Sequence, residues 1–385
     1  ELQQLGYGSD PGIAGRLATF DAIKRSVDAV TPALARFTAL EADTYRRCRF
    51  ATYFARQALI TVFIDNTERS PTFRLYPLDR VQDTERRCWV QVWTEAADLR
   101  EAWRNFLGRS FRGLESSRYR EPFESQVTDP YLREAALRSL DNAGGDQEFS
   151  YDFSFSGENV ERRGPGPGDL GVLVLSDDEI RTLEDGSSSF RRFLDLCHER
   201  RASVAMLLVA DQGLSPDAGR AARRLREGDV AVRVTMDDGD DPVKLRRHIA
   251  LKMLLNAHST GIMAALGRVV GNTMTSVNPS NLKLIGRATY LIMTHVNDIL
   301  RQPEWLAAHG ATDAVTFAEA NAVLFDAMDY VRSHMVGQTA EVALSIVRLT
   351  EALLHRAPVD WNQARDILEK EGLASYLAKH NPSLK

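Results

Sequence analysis

Ser187, Ser188 and Ser189 stand at the head of a stretch with helical apolar spacing, Ser188 to Arg200. Hydroxyls and backbone N–H groups at the positive end of a helix can hold an anion such as phosphate. The same serines also serve as plain N-caps. A second polar set comprises Asn256, His258, Ser259, Thr260, Asn272 and Asn281, in and after a long apolar run. These residues either line a ligand cleft or satisfy buried backbone, and His258 fits a hydrogen-bonded core position better than a catalytic one. Asp237-Asp-Gly-Asp-Asp241 has the acidity of a calcium loop but no glutamate at the twelfth position, so it reads as a solvated turn. The chain has no G-x-S-x-G, HExxH or Walker A motif, and neither a metal nor a cofactor is expected.

The elements that would carry these residues follow from periodicity. Leu17, Phe20, Ile23 and Val27, then Leu34, Phe37 and Leu40, give two helices divided at Pro32. Arg49 to Asp65 contains a strand, the loop Asn66 to Phe73 follows, and Arg87 to Trp93 reads as a buried strand. Helical spacing returns over Ala96 to Leu107 and Pro130 to Leu140. Phe149, Tyr151, Phe153 and Phe155 alternate with polar residues as a half-buried strand does. Glu161 to Asp169 reads as a stiff, exposed linker whose prolines remove the donors a phosphate cradle needs. The runs Gly171–Leu175, Ser203–Ala210 and Val230–Met236 then alternate with helices Ser188–Arg200 and Pro216–Glu227. Strands apolar on both faces and joined by helices make a parallel, doubly wound α/β sheet.

Leu245 to Arg287 organises the rest. Leu245, Ile249, Met253, Ala257 and Gly261 recur every fourth residue, with Leu251, Leu254, Leu255, Ile262 and Leu266 between them. Such a run reads as a buried helix, apolar nearly all round, and its Gly and Ala residues imply close backbone packing. A polar strap, Asn272 to Lys283, ends it. Everything from Ala288 onward has helical spacing, with capping-box starts at Thr316–Glu319 and Asp360–Gln363 and a glycine stop at Gly372. The expected organisation is a loose lead-in over 1–15, an α/β domain over 16–287 and an all-helical region over 288–385.

Asn256, Ser259, Thr260, Gly261, Gly267, Asn272, Met274, Asn281, Lys283 and Leu284 follow the spacing NxxSTG…G(K/R)xxxNxM…(T/S)NxKL. In this the chain resembles the N-acetylmuramic acid 6-phosphate etherases and the glucokinase regulatory proteins, built on sugar-isomerase (SIS) domains. The resemblance implies a hexose phosphate or amino-sugar phosphate as ligand, and pairing with a second SIS domain or a second copy. The etherase phosphate loop GAGTSG corresponds to Phe54-Ala-Arg-Gln-Ala-Leu59, which has no Gly, Ser or Thr and leaves Arg56 to meet an anion. The second loop, SGRT, falls at the acidic Leu175-Ser-Asp-Asp-Glu179 or at Asp185-Gly-Ser-Ser-Ser189. Thr67 to Phe73 resembles SECPPT(Y/F), which makes Glu68 the candidate acid–base residue. The etherases' second glutamate motif, EGAED, has no counterpart after Trp93. Pro242 to Lys252 matches SSRMKAGTxxK in charge, keeping Lys244, Arg246 and Lys252, but loses its serines and glycine.

The chain has 385 residues, 44% hydrophobic, with 48 Lys plus Arg against 53 Asp plus Glu for a net charge of −5. That balance argues against nucleic acid as a partner. Cys48, Cys88 and Cys197 are far apart and suit a reducing compartment. No signal peptide or membrane-spanning run is evident, so a cytoplasmic location is expected. The chain begins at Glu1 without Met and reads as a piece of something longer. The degraded loops resemble the second SIS domain of glucokinase regulators, which implies dimerisation, regulation or support of an active partner. The alternative is a divergent etherase that releases lactate through Glu68.

Overall fold

The computed structural model describes residues 12–176, 178–237, 241, 244–334 and 340–384. In chain order the elements begin with α1 (Gly12–Asp28), α2 (Thr31–Arg46), β1 (Ala51–Ala55), α3 (Leu59–Phe73), β2 (Val90–Trp93) and α4 (Leu99–Leu107). Next come α5 (Arg120–Gln126), α6 (Pro130–Asp141), α7 (Gly157–Arg163), β3 (Leu170–Ser176), α8 (Asp178–Thr182) and α9 (Ser189–Glu199). They are followed by β4 (Ser203–Asp211), α10 (Ser215–Ala222), β5 (Val230–Met236) and α11 (Leu245–Ala265). Six further helices complete the chain: α12 (Leu282–Leu300), α13 (Pro303–His309), α14 (Phe317–His334), α15 (Glu341–His355), α16 (Trp361–Glu371) and α17 (Leu373–His380).

Contacts divide the chain into two compact units. One takes Glu1–Glu68, Tyr76–Leu114 and Gly145–Ile262; the other takes Arg69–Leu75, Glu115–Gly144 and Met263–Lys385. This differs from the linear boundary expected after residue 287. The reason is topological: parallel strands need long crossovers, and the one from β2 to β3 carries α5 and α6, which belong to the helical unit.

The first unit is a five-stranded, all-parallel sheet in the order β2-β1-β3-β4-β5, as expected for a doubly wound α/β fold. Adjacent side chains on β1 go to opposite faces. Phe54 meets Phe190 and Phe193 of α9, while the Tyr53 hydroxyl meets Glu41 of α2 and His258 of α11. On the α9 face Leu173, Leu175, Val204, Met206 and Leu208 form one apolar core with Phe190 and Cys197. Gly171 has to be glycine here, because a Cβ would lie 2.3 Å from the buried Cys197 sulfur. None of the three cysteines is in a disulfide, and burial pushes the Cys197 thiol far up, which makes it inert.

Several sequence expectations change. Residues 1–11 of the lead-in lie outside the described residues, and Gly12 to Gly15 already belong to α1. The Asn66–Phe73 loop is instead the second half of α3, since buried positions Val62, Asp65, Asn66, Arg69 and Phe73 keep helical spacing through it. The Phe149–Phe155 segment makes a single bridge, Thr94 with Ser154, rather than a strand. The expected alternation does not hold either, since Phe149 is exposed while Ser150 and Ser154 are buried. Phe153 packs on Phe63 and Trp103, and Phe155 on Phe54. The Glu161–Asp169 linker is built into the fold. Its buried Asp169 accepts hydrogen bonds from the Phe50 and Gly166 N–H groups and from Arg86. The helix expected over Pro216–Glu227 stops at Ala222.

The central helix is buried on one side only. Ala250, Leu251, Leu254, Leu255, His258 and Ile262 are buried, whereas Asn256 and Ala257 are exposed. Small residues on the outward side make that exposure cheap, which bulky residues would not. The expected close approach occurs at Gly261, where a Cβ would sit 3.1 Å from the Thr38 methyl on α2.

In the second unit α12, α14 and α15 pack on one another around Ile292, Val296, Leu324, Val342 and Ile346. Both capping boxes form: Glu319 with Thr316, and Gln363 with Asp360. Among the described residues no helix is long and apolar enough to cross a membrane.

Glu41 and His258 have no exposed side-chain surface. The Tyr45 hydroxyl donates to one Glu41 oxygen at 2.6 Å; Tyr53 (2.6 Å) and His258 Nε2 (2.8 Å) donate to the other. The imidazole also stacks on Phe37 at 3.7 Å and meets Thr38 through Nδ1. Removing one partner strands a buried charge, so His258→Ala should cost about 3–5 kcal/mol of unfolding free energy. Urea denaturation followed by circular dichroism measures it, and a loss below about 1 kcal/mol would show that the network is dispensable.

Candidate functional site

In strand order 2-1-3-4-5 the chain reverses direction between β1 and β3, and the crevice beyond their carboxyl ends is where such sheets bind ligands. A side chain of this protein fills that crevice. Glu179, the second residue of α8, is fully buried. One of its oxygens accepts the Gln57 backbone N–H at 2.9 Å and Arg56 Nε at 3.3 Å. The other accepts the Ser176 N–H at 2.9 Å and meets the Ser176 hydroxyl at 3.3 Å. Arg56 also pairs with Glu95, beyond the end of β2, at 3.0 Å. The ends of three adjacent strands are thus tied through two carboxylates and one guanidinium.

Beside this knot Gln57, Ser176 and Val209 face Lys244, Arg247, His248 and Leu251 across a cavity of about 30 Å³. That is room for a water or two, whereas small-molecule sites run to roughly 300–1,000 Å³. A larger cleft of about 280 Å³ lies among Val81, Asp98, Asp152, Glu158 and Arg162. Its polar groups are spent locally, with Asp98 capping α4 and Arg162 donating to the Val81 carbonyl. Size alone would favour a depression of about 410 Å³ along α6, lined by Pro130, Arg133 and Asp141, but the chemistry converges at the switch point.

The expected site residues do not gather in one place. Arg56 and Lys244 flank the same strand ends, Arg56 held by carboxylates and Lys244 on the cavity wall with a positive φ of 54°. Arg246 is half-buried, and its N–H donates to Asp241 at 2.8 Å. Asn256 is exposed, and Ser259 is buried with its hydroxyl returned to the Asn256 carbonyl. Ser188 caps α9 by accepting the Arg191 N–H, and Ser187 donates to Asp185. Ser189 is buried, its hydroxyl without a partner among the described residues. Asn281 caps α12. Residues 177, 238–240, 242 and 243 lie outside the described residues, and with them most of the Asp237–Asp241 turn. Among the described residues no group of three potential metal ligands occurs.

No family model matches the chain. An N-acetylmuramic acid 6-phosphate etherase of Bacteroides thetaiotaomicron is 38% identical over 167 residues, 37% of this chain and 60% of that protein. The chain is similar to N-acetylmuramic acid 6-phosphate etherases. An etherase of Christiangramia forsetii is 41% identical over 63 residues, 16% of this chain and 23% of its own. One of Porphyromonas gingivalis is 47% identical over 51 residues, 13% and 19%. The chain thus spans less than two thirds of the length of these relatives.

Against that etherase likeness the position of Glu68 matters. It lies nine residues into α3, about 13 Å along the helix axis from the strand ends where α3 begins. Lys252 Nζ holds it at 2.9 Å and reaches the buried Asp65 at 3.2 Å. Burial lowers the Lys252 ammonium, but hydrogen bonds and charge from Glu68 and Asp65 outweigh it, and the net shift is upward.

Sequence reasoning missed Glu179 as a ligand of backbone, together with Gln57, Arg247 and His248. The available signal for Glu179 was the acidic run after β3 in place of a hydroxyl loop.

Burial lowers His248 below its ordinary value, opposed by Asp241 and reinforced by Arg247. Burial lowers His295 and His380 as well. A depressed imidazole is protonated first in the unfolded chain, so its stabilisation is complete above about pH 6.5 and declines as pH falls below that. The urea midpoint should therefore drop between about pH 7.5 and 5.5. His248→Gln should flatten the profile, and equal slopes would exclude His248 as a contributor.

Proposed function

We propose that this chain is a sugar-phosphate-related SIS module whose role is pairing, regulation or support of an active SIS partner rather than turnover. The observation that carries the reading is the closed switch point, where about 30 Å³ remains and Arg56 is committed to Glu95 and Glu179. A hexose phosphate needs an open cradle of donors there. The likeness to etherases supports the sugar-phosphate connection, and the small-residue outward side of α11 at Asn256 and Ala257 suits a second SIS domain or a second copy. The degraded loops also make it comparable to the second SIS domain of glucokinase regulators.

A second reading, a lyase releasing lactate from N-acetylmuramate 6-phosphate, is favoured by the etherase relatives and by the Glu68–Lys252 contact. One acid without an open phosphate site makes it the weaker of the two. Light scattering should report a mass of two chains, and a lactate assay with N-acetylmuramate 6-phosphate should stay at background. A panel of hexose and amino-sugar 6-phosphates should leave the melting temperature unchanged for wild type and Ser188→Ala alike. Lactate release abolished by Glu68→Gln would establish the second reading instead.

A further inference from the structure

The carboxylate of Glu179 is bound as a ligand is bound. It takes two backbone N–H groups, one beyond β1 and one at the end of β3, together with a serine hydroxyl and a guanidinium. Donors converging from adjacent strand ends on two oxygens of one anion are what a phosphomonoester demands at a switch point. The bonds to Ser176 are the return half of a capping box, the same three-residue arrangement as Glu319 with Thr316. The Gln57 N–H and Arg56, more than a hundred residues earlier in the chain, are partners that a helix cap does not use.

We propose that Glu179 is a built-in anion that occupies a phosphate cradle, and that the cradle accepts inorganic phosphate or a phosphomonoester once this carboxylate is withdrawn. The loss of the glycine and hydroxyl loop is then incomplete, because the Gln57 and Ser176 N–H groups and Arg56 retain the geometry of an oxyanion site. Lys244 and Arg247 on the far wall of the adjoining cavity add positive charge for a dianion, and His248 beside them offers a neutral imidazole. The chain therefore selects against phosphate through one side chain, and not through absence of a site. This rests on the reading of the chain as a sugar-phosphate-related module, and it makes Glu179 the residue that sets ligand specificity there.

The test is isothermal titration calorimetry of the full chain with inorganic phosphate. Wild type should bind weakly or not at all, and Glu179→Ala should bind at least about tenfold more tightly. Adding Arg56→Ala to that variant should remove the gain. Should Glu179→Ala fail to fold by circular dichroism, Glu179→Ser is read in the same way. A folded variant that binds phosphate no better than wild type overturns the proposal, as does a gain that survives loss of Arg56. The outcomes separate from the functional reading: gained phosphate in the variant of a chain that light scattering shows to be a monomer would keep this proposal and count against pairing. A wild-type dimer without turnover, whose variants gain nothing, would do the reverse.

Discussion

Glu41 is a charged residue with no access to water, and the first unit is arranged so that it is never without partners. Tyr45 from its own helix, Tyr53 from β1 and His258 from α11 all donate to it. A buried carboxylate tolerates little change in such distances, since an unmet acceptor in a low-dielectric interior costs far more than the bond returns. The network therefore fixes how far along β1 the helix α11 sits. That setting brings Arg247 and His248 of the first turn of α11, and Lys244 just before it, to the carboxyl edge of the sheet. His258 is structural, and what it positions is the candidate site.

At that edge a second buried glutamate answers a different problem. Parallel strands end with backbone N–H groups that the ladder does not use, and the switch point leaves them facing an open crevice. Proteins that bind phosphate leave them to the ligand. Glu179 satisfies those of Gln57 and Ser176 internally and brings Arg56 in with Glu95. The fold stays complete without a bound anion.

The etherase signature has a physical reading that does not require catalysis. Gly261 permits α2 to approach α11, Asn281 starts α12, and Ser259 returns its hydroxyl to the helix backbone. Lys252 keeps its charge but uses it on Glu68 and Asp65. These contacts hold the central helix in place and start α12, and none of them requires turnover.

The α/β class was legible in the chain, because strands buried on both faces, as β1 to β4 are, must be apolar nearly throughout; β5, with Arg233 exposed, was legible from its β-branched run instead. The capping boxes were legible too, since they depend on residues three apart. Local pattern failed where tertiary contacts decided. The turn-like residues of Asn66–Phe73 became helix because its inward positions were buried, and the Phe149–Phe155 run became a bridged coil in which Phe153 packs on Phe63 and Trp103 while Phe149 stays exposed. Glu68 and Ser188 were visible as candidates from sequence, yet their roles depended on what stood opposite them. Glu179 shows the limit most plainly. Whether an acidic residue after a strand repels an anion or takes its place depends on where the side chain turns, and that is set by donors more than a hundred residues away at Arg56 and Gln57.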